Sequence, residues 1–228
     1  MIVISLAAGT MLSFVNRHGV HTSAAYGAAA QLWTYVQMPA MALGGAVSSM
    51  AAQNVGAGRM DRVERVARSG ALYAVLFTGI PVLAIYLADP WVLRAFLPGS
   101  SPSLPIAEHL NAYVLWGFVP LGVAFIFSGV VRATGSVWPP LLAMVISLWG
   151  VRIPMARLLE PHMGADAIWL SFPAGSLATL ILAGGYYKWG NWRQGRMLQQ
   201  VRPSADAPDT GLGQPMMEES EAITDAEE

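Results

Sequence analysis

Residues 110–159, LNAYVLWGFVPLGVAFIFSGVVRATGSVWPPLLAMVISLWGVRIPMARLL, hold two long apolar runs, at 110–131 and 137–159, parted by Arg132 and a short Gly-Ser stretch. A helix needs about 20 mostly apolar residues to cross about 30 Å of hydrocarbon, and each run is long enough. Three further runs of that kind flank them, at 23–50, 67–88 and 167–188. A shorter one, MIVISLAAGTMLSFV at residues 1–15, ends at Asn16-Arg17-His18-Gly19. The spacing predicts an all-α, polytopic bundle of about six transmembrane helices over residues 1–190.

Composition leads to the same class. Only 12% of the 228 residues are charged, whereas a soluble domain carries about 25% to cover its surface. The mean hydropathy is +0.46. There is no cysteine, which excludes disulfides and thiolate metal sites. His18, His21, His109 and His162 are read as loop residues and lack the paired helical spacing of a metal motif. No Ser-His-Asp set or carboxylate pair is present either, so the chain is not read as an enzyme and no cofactor is expected.

Charge divides the chain into parts. Eight of the 14 acids lie in residues 203–228, which contain no Lys or Arg. That acidic tail has too little apolar surface to order itself and is expected to be disordered. Residues 191–202 form a basic segment ahead of it. At the other end the first positive charge, Arg17, follows the apolar run instead of preceding it. Residues 1–15 therefore read as a spanning helix that lacks its beginning, and not as a signal peptide. Among the connectors, the even ones hold Arg59, Arg62, Arg65, Arg68, Arg132, Lys188, Arg193 and Arg196, and the odd ones hold Arg17, Arg94 and Arg157. Basic loops favour the cytoplasm, so both the N-terminus and the tail are expected there.

Proline recurs within or near the ends of the last five runs, as Pro39, Pro81, Pro120, Pro154 and Pro173. Each removes a backbone hydrogen bond and can kink its helix, with Pro39, Pro120 and Pro154 the candidate hinges. Small residues cluster at Gly27–Ala30 and Gly44-Gly45-Ala46, where helices can approach closely. After Gly56-Ala57-Gly58 the stretch to Gly70 reads as a short amphipathic helix at the headgroups, with arginines three apart. Asp61 and Glu64 interrupt those arginines, and no nucleic-acid partner is expected.

Arg152 lies near the centre of its run, where a charge costs about 2.5 to 3.5 kcal/mol. It is either a cavity or gate residue, or a structural cation that bonds a carbonyl freed by a neighbouring proline or snorkels toward the Glu160 end. Gln37 stands mid-run before Pro39 and either meets a substrate or bonds another helix. Tyr35, Met38, Trp116, Phe118 and Met144 provide ring faces and adaptable thioethers that suit loose binding of apolar cations, and equally suit helix packing. No Asp or Glu lies inside any predicted span.

Two stretches resemble the multidrug and toxic compound extrusion (MATE) family. One is AAYGAAAQLWTYVQMPAMALGGAVSSMAAQNVGAGRMDRVERVARSG (24–70), through its Pro39 helix and Gln53 with Gly56-Ala57-Gly58. The other is GVVRATGSVWPPLLAMVISLWGVRIPMARLL (129–159), through Arg132 with Gly135 and Pro139, and Arg152-Ile153-Pro154. The resemblance implies one lobe, the C-terminal one, of a twelve-helix transporter in a bacterial-type inner membrane. Such proteins export organic cations and drugs by H+ or Na+ antiport through alternating access. It further implies a missing N-terminal lobe, or a second copy, as partner. The coupling carboxylate would belong to the absent half. Gln37, Tyr35, Met38, Trp116, Phe118, Met144 and Arg152 would then line one wall of a central cavity. A lipid-linked oligosaccharide flippase of the same superfamily, and a non-transporting membrane fragment, are the alternatives.

Overall fold

The computed structural model describes residues 2–97, 99 and 101–194, and among these every regular element is helical. Helices α1 (Ile2–Asn16), α2 (Val20–Gly56) and α3 (Met60–Leu93) come first. Helix α4 (Ser103–Val114) passes through a 3₁₀ turn, Leu115–Gly117, into α5 (Phe118–Ala133). Helix α6 (Trp138–Val145) passes through a π-helical segment, Ile146–Arg152, into α7 (Ile153–Met163). Helix α8 (Ala165–Trp189) precedes a last 3₁₀ turn, Asn191–Gln194. The expected acidic tail, and the basic segment beyond Gln194, lie outside the described residues.

Among the described residues four spans are long and apolar enough to cross a bilayer: Met60–Ala88, Ser103–Ala133, Trp138–Met163 and Ala165–Trp189. That is fewer than the six runs read from sequence. Helix α1 has only 15 residues. Helix α2 has 37, but Ala, Gly, Ser and Gln dilute its hydropathy. These small residues serve contact between helices more than contact with lipid. The outer face of α3 does the opposite, exposing Leu72, Phe77, Ile80, Leu83 and Leu87 as an apolar belt. The chain is an all-α membrane bundle.

Two other elements differ from their sequence reading. The amphipathic stretch at 59–70 is no separate helix but the first turns of α3, which run straight into the apolar span. Val63, Ala67 and Gly70 face inward there, while Arg62, Arg65 and Arg68 stay exposed. Helix α4 starts at Ser103, well before residue 110, because Pro105 falls in its first turn, where no backbone N–H is needed. His21, His109 and His162 consequently lie within helices and not in loops.

Helices α2, α3 and α5 pack against one another, and α8 packs on α5 and α7. Glycine sets the closest approaches. A methyl group at Gly129 would stand 2.8 Å from the Gly44 carbonyl oxygen, so the α2 and α5 backbones touch. One at Gly117 would stand 2.9 Å from Cα of Pro173, bringing the 3₁₀ turn onto α8. Dispersion at such contacts is what associates helices in lipid. Two buried clusters result. One gathers Phe14, Trp33, Leu110, Leu115 and Trp169, and the other Val47, Val63, Ile126, Val130 and Trp192. Along α2 and α5 they are separated by the intervals 37–46 and 119–125. Small residues, Ala40, Gly44, Gly122 and Ala124, fill those intervals where α2 and α5 touch, and a cleft opens beside them toward α8 and the π segment.

Polar ties hold both ends. Trp33 donates its indole N–H to Oδ1 of Asn111 at 3.0 Å, joining α2 to α4 in the buried interior. His109 pairs with Asp166 at 2.9 Å, linking α4 to the start of α8. At the other end Arg193 reaches Glu64 at 3.2 Å, and Trp192 gives its N–H to the Tyr187 carbonyl at 2.6 Å.

Candidate functional site

The opening is a cleft made of two adjoining cavities, of about 190 and 150 Å³, that share Gln37, Leu121, Arg152, Phe172 and Ser176. Gln37, Arg152, Phe172 and Ser176 stand near the middle of α2, of the Trp138–Met163 span and of α8, while Arg132 and Pro140 border the cleft from the end of α5 and the start of α6. Helix α5 supplies Leu121, Phe125, Ser128 and Arg132, at helical steps of four, three and four. Helix α8 supplies Phe172, Ser176 and Thr179. From α6 and the π segment come Pro140, Met144, Leu148 and Arg152, each four residues from the last.

That last spacing depends on the π segment. In an α-helix of 3.6 residues per turn, each step of four drifts about 40° around the axis. After three steps Arg152 would stand about 120° from Pro140, off the cleft face. A π turn, bonded i to i+5, holds more residues per turn and takes the drift back. Proline supports the widening. Pro154, just beyond the segment, has no N–H for the Gly150 carbonyl, so the ordinary ladder is already broken there. Pro120 acts likewise after the 3₁₀ turn, its missing bond falling on Trp116. Pro39 lies inside α2, which continues unbroken through it.

The cleft wall toward α4 is aromatic. Trp33 packs edge-on to Phe172 with centroids 5.2 Å apart, and Phe118 lies 5.9 Å from Trp33. Arg152 lays its guanidinium over the Phe172 ring, 3.3 Å from the centroid. Gly175 makes room for it, since a methyl there would meet Arg152 Cβ at 3.4 Å. Stacking of this kind places a cation in an apolar site, worth up to about 2 kcal/mol when desolvated. It does not satisfy the guanidinium's hydrogens, and Nε of Arg152 is buried without an acceptor. Leaving such a donor unpaired costs about 1–3 kcal/mol. The proline-freed carbonyl considered as its partner makes no hydrogen bond to it.

The structure brings Gln37, Phe118, Met144 and Arg152 to the cleft. It does not bring Tyr35, Met38 or Trp116, which are 53%, 55% and 42% exposed on outer faces. Helix phase is the reason on α2. Trp33 and Gln37, four apart, share the cleft face, while positions 35 and 38 are turned away from it. Tyr35 instead receives a hydrogen bond from Gln31 at 3.4 Å. Sequence reading missed Arg132, taken as a topology charge, and the α8 stripe of Phe172, Ser176 and Thr179. Their i, i+4, i+7 periodicity was available, but nothing in the sequence says which helix faces which. Among the described residues no three His, Asp or Glu gather as metal ligands.

The MatE family profile matches residues 1–158, from α1 into α7. The chain belongs to the MatE family. Its similarity to Probable multidrug resistance protein YoeA of Bacillus subtilis is 36% identity over 204 residues, 89% of this chain and 44% of that protein. Probable multidrug resistance protein YpnP of the same species is 30% identical over 194 residues, 85% of this chain and 43% of that protein. Probable multidrug resistance protein NorM of Thermotoga maritima is 24% identical over 168 residues, 72% and 36% of the two chains. This MatE chain thus spans under half the length of these relatives. The MatE match includes the cleft residues of α2, α5, α6 and the π segment.

Proposed function

We propose that this chain is the C-terminal lobe of a MATE-type multidrug efflux transporter, which exports small amphipathic organic molecules by H+ or Na+ antiport. The observation that carries this reading is the cleft itself. It lies between two packed ends and sets apolar, aromatic and thioether surface from Leu121, Phe125, Met144 and Phe172 beside polar groups of Gln37, Ser128, Arg152, Ser176 and Thr179, the make-up of a small-molecule site. Antiport needs a group that binds and releases the coupling ion, typically an intramembrane carboxylate. No described acid lines this cleft, so coupling is assigned to the other lobe. On the arginine count, the Arg59–Arg68 and Arg193 ends face the cytoplasm.

The test is efflux in cells stripped of their own pumps. The chain would be expressed alone and together with the six-helix N-terminal half of a relative such as YoeA. Ethidium should leave the cells only when both halves are present, and an uncoupler or a sodium ionophore should stop it. Membrane-inserted protein that confers no efflux with any partner half would mean a non-transporting fragment.

A further inference from the structure

We infer that the cleft receives the oxyanion head of an amphipathic ligand, a carboxylate or phosphate on an apolar body. This rests on the transport reading for its site but goes beyond it in substrate chemistry. Two arginines, Arg132 and Arg152, line the larger cavity, and no described acid lines either one. The described acids with ion-pair partners are engaged elsewhere: Asp61 with Arg65, Glu64 with Arg193, and Asp166 with His109. Glu108 and Glu160 sit on α4 and α7 away from the cleft. Arg152, whose Nε is buried, would repel a cationic head where screening is poor and no described acid offsets it. Arg132 adds a like charge only from the exposed end of α5.

An oxyanion meets the reverse. The face of the Arg152 guanidinium is used by Phe172 at 3.3 Å, which fixes its plane and leaves its N–H edge to hydrogen-bond. Nε of that edge has no protein acceptor. A planar fork held by stacking matches carboxylate and phosphate oxygens two at a time. Gln37 also makes no hydrogen bond to the protein among the described residues, and its amide can give a further N–H. The π segment adds weight, because without it Arg152 would turn off this face. Leu121, Phe125, Met144 and Leu148 supply apolar surface for the body of the ligand.

The test is binding to the purified full-length chain in phosphatidylcholine nanodiscs, read by quenching of tryptophan fluorescence. The probes are 1-naphthylacetate, its methyl ester and 1-naphthylmethylamine, which share one apolar body and differ in head charge. The acid should bind at least about tenfold more tightly than the amine, a difference of about 1.4 kcal/mol. Arg132→Gln and Arg152→Lys should each weaken the acid by about tenfold and leave the ester unchanged. Arg132 is exposed at the end of α5, so its variant keeps the test valid should Arg152→Lys fail to fold. Replacing the lipid by phosphatidylglycerol identifies the source of the head. Competition with the acid that is lost in Arg132→Gln assigns a lipid phosphate, and no competition assigns a free carboxylate. Amine binding equal to or tighter than acid binding overturns the proposal, as does acid binding that neither substitution alters. Because no transport is measured, ethidium efflux without acid binding sinks only this inference. Acid binding without efflux sinks only the transport reading.

Discussion

At Gly129 a methyl group would meet the Gly44 carbonyl oxygen at 2.8 Å, backbone against backbone, with no flexible side chain to yield. At Gly45, one residue from Gly44, a methyl would meet nothing within 4 Å. The two positions look alike in sequence and differ entirely in consequence. Gly129→Ala should destabilise the bundle by about 1–3 kcal/mol, as overpacking does. Gly45→Ala should be neutral or stabilising by up to about 1 kcal/mol, from helix propensity alone. Thermal unfolding of both variants in one detergent decides this. Equal melting temperatures would show that the α2–α5 contact does not control stability. The sequence marked Gly44-Gly45-Ala46 as a close-contact site but could not say which glycine touches, since that depends on the phase of α5. Arg152 was legible for a similar reason and to a similar extent. Its depth followed from run length, whereas its neighbours Phe172 and Gly175 lie on a helix that the sequence does not orient.

The helices themselves were largely legible, because apolar length is a property of one segment. Where the sequence reading went astray, a local signal was overruled by continuity. The arginine-rich start of α3 has the pattern of a surface helix, yet it joins the span because nothing between Ser69 and Ala71 breaks it. The π segment was invisible, since no composition marks it beyond the proline that follows. It leads to a prediction about α6 and its continuation. The chain has no cysteine, so single replacements report cleanly. Met144→Cys and Leu148→Cys should react with a water-soluble, charged thiol reagent reaching the cleft. Leu141→Cys and Leu158→Cys, at 47% and 73% exposed positions on the outer surface, should react only with membrane-permeant reagents. Labelling that followed an uninterrupted 3.6-residue period through 152 would contradict the widened turn.

Across the whole molecule, the bundle is tied at both ends and holds a cleft between them. Each end has its own buried cluster and its own side-chain pair, Asp166 with His109 at one and Glu64 with Arg193 at the other. Under the proposed transport function, such a bundle turns as one body while its cleft keeps its shape, as alternating access requires. The sequence could announce six runs and a family. It could not show that a cleft opens beside the α2–α5 contact, because that is a property of several helices at once.

The short reversals between helices have a consequence of their own. Gly19, Gly58, Gly135 and Gly164 each stand with positive φ between successive helices, and at Gly164, φ 58, ψ −133, a side chain would be strained. Among the described residues no such glycine serves the connection from α3 to α4. The chain is thereby punctuated into two triplets, α1–α3 and α4–α8 counted as three spans, each wound tightly and tethered to the other once. What unites the triplets is the contact of α2 and α3 with α5, which needs no covalent link. Residues 1–97 and 98–228, made as separate polypeptides in one cell, should therefore find each other in the membrane and co-purify through a tag on either piece. Recovery of only the tagged piece would mean that the tether, and not the interface, holds the bundle together.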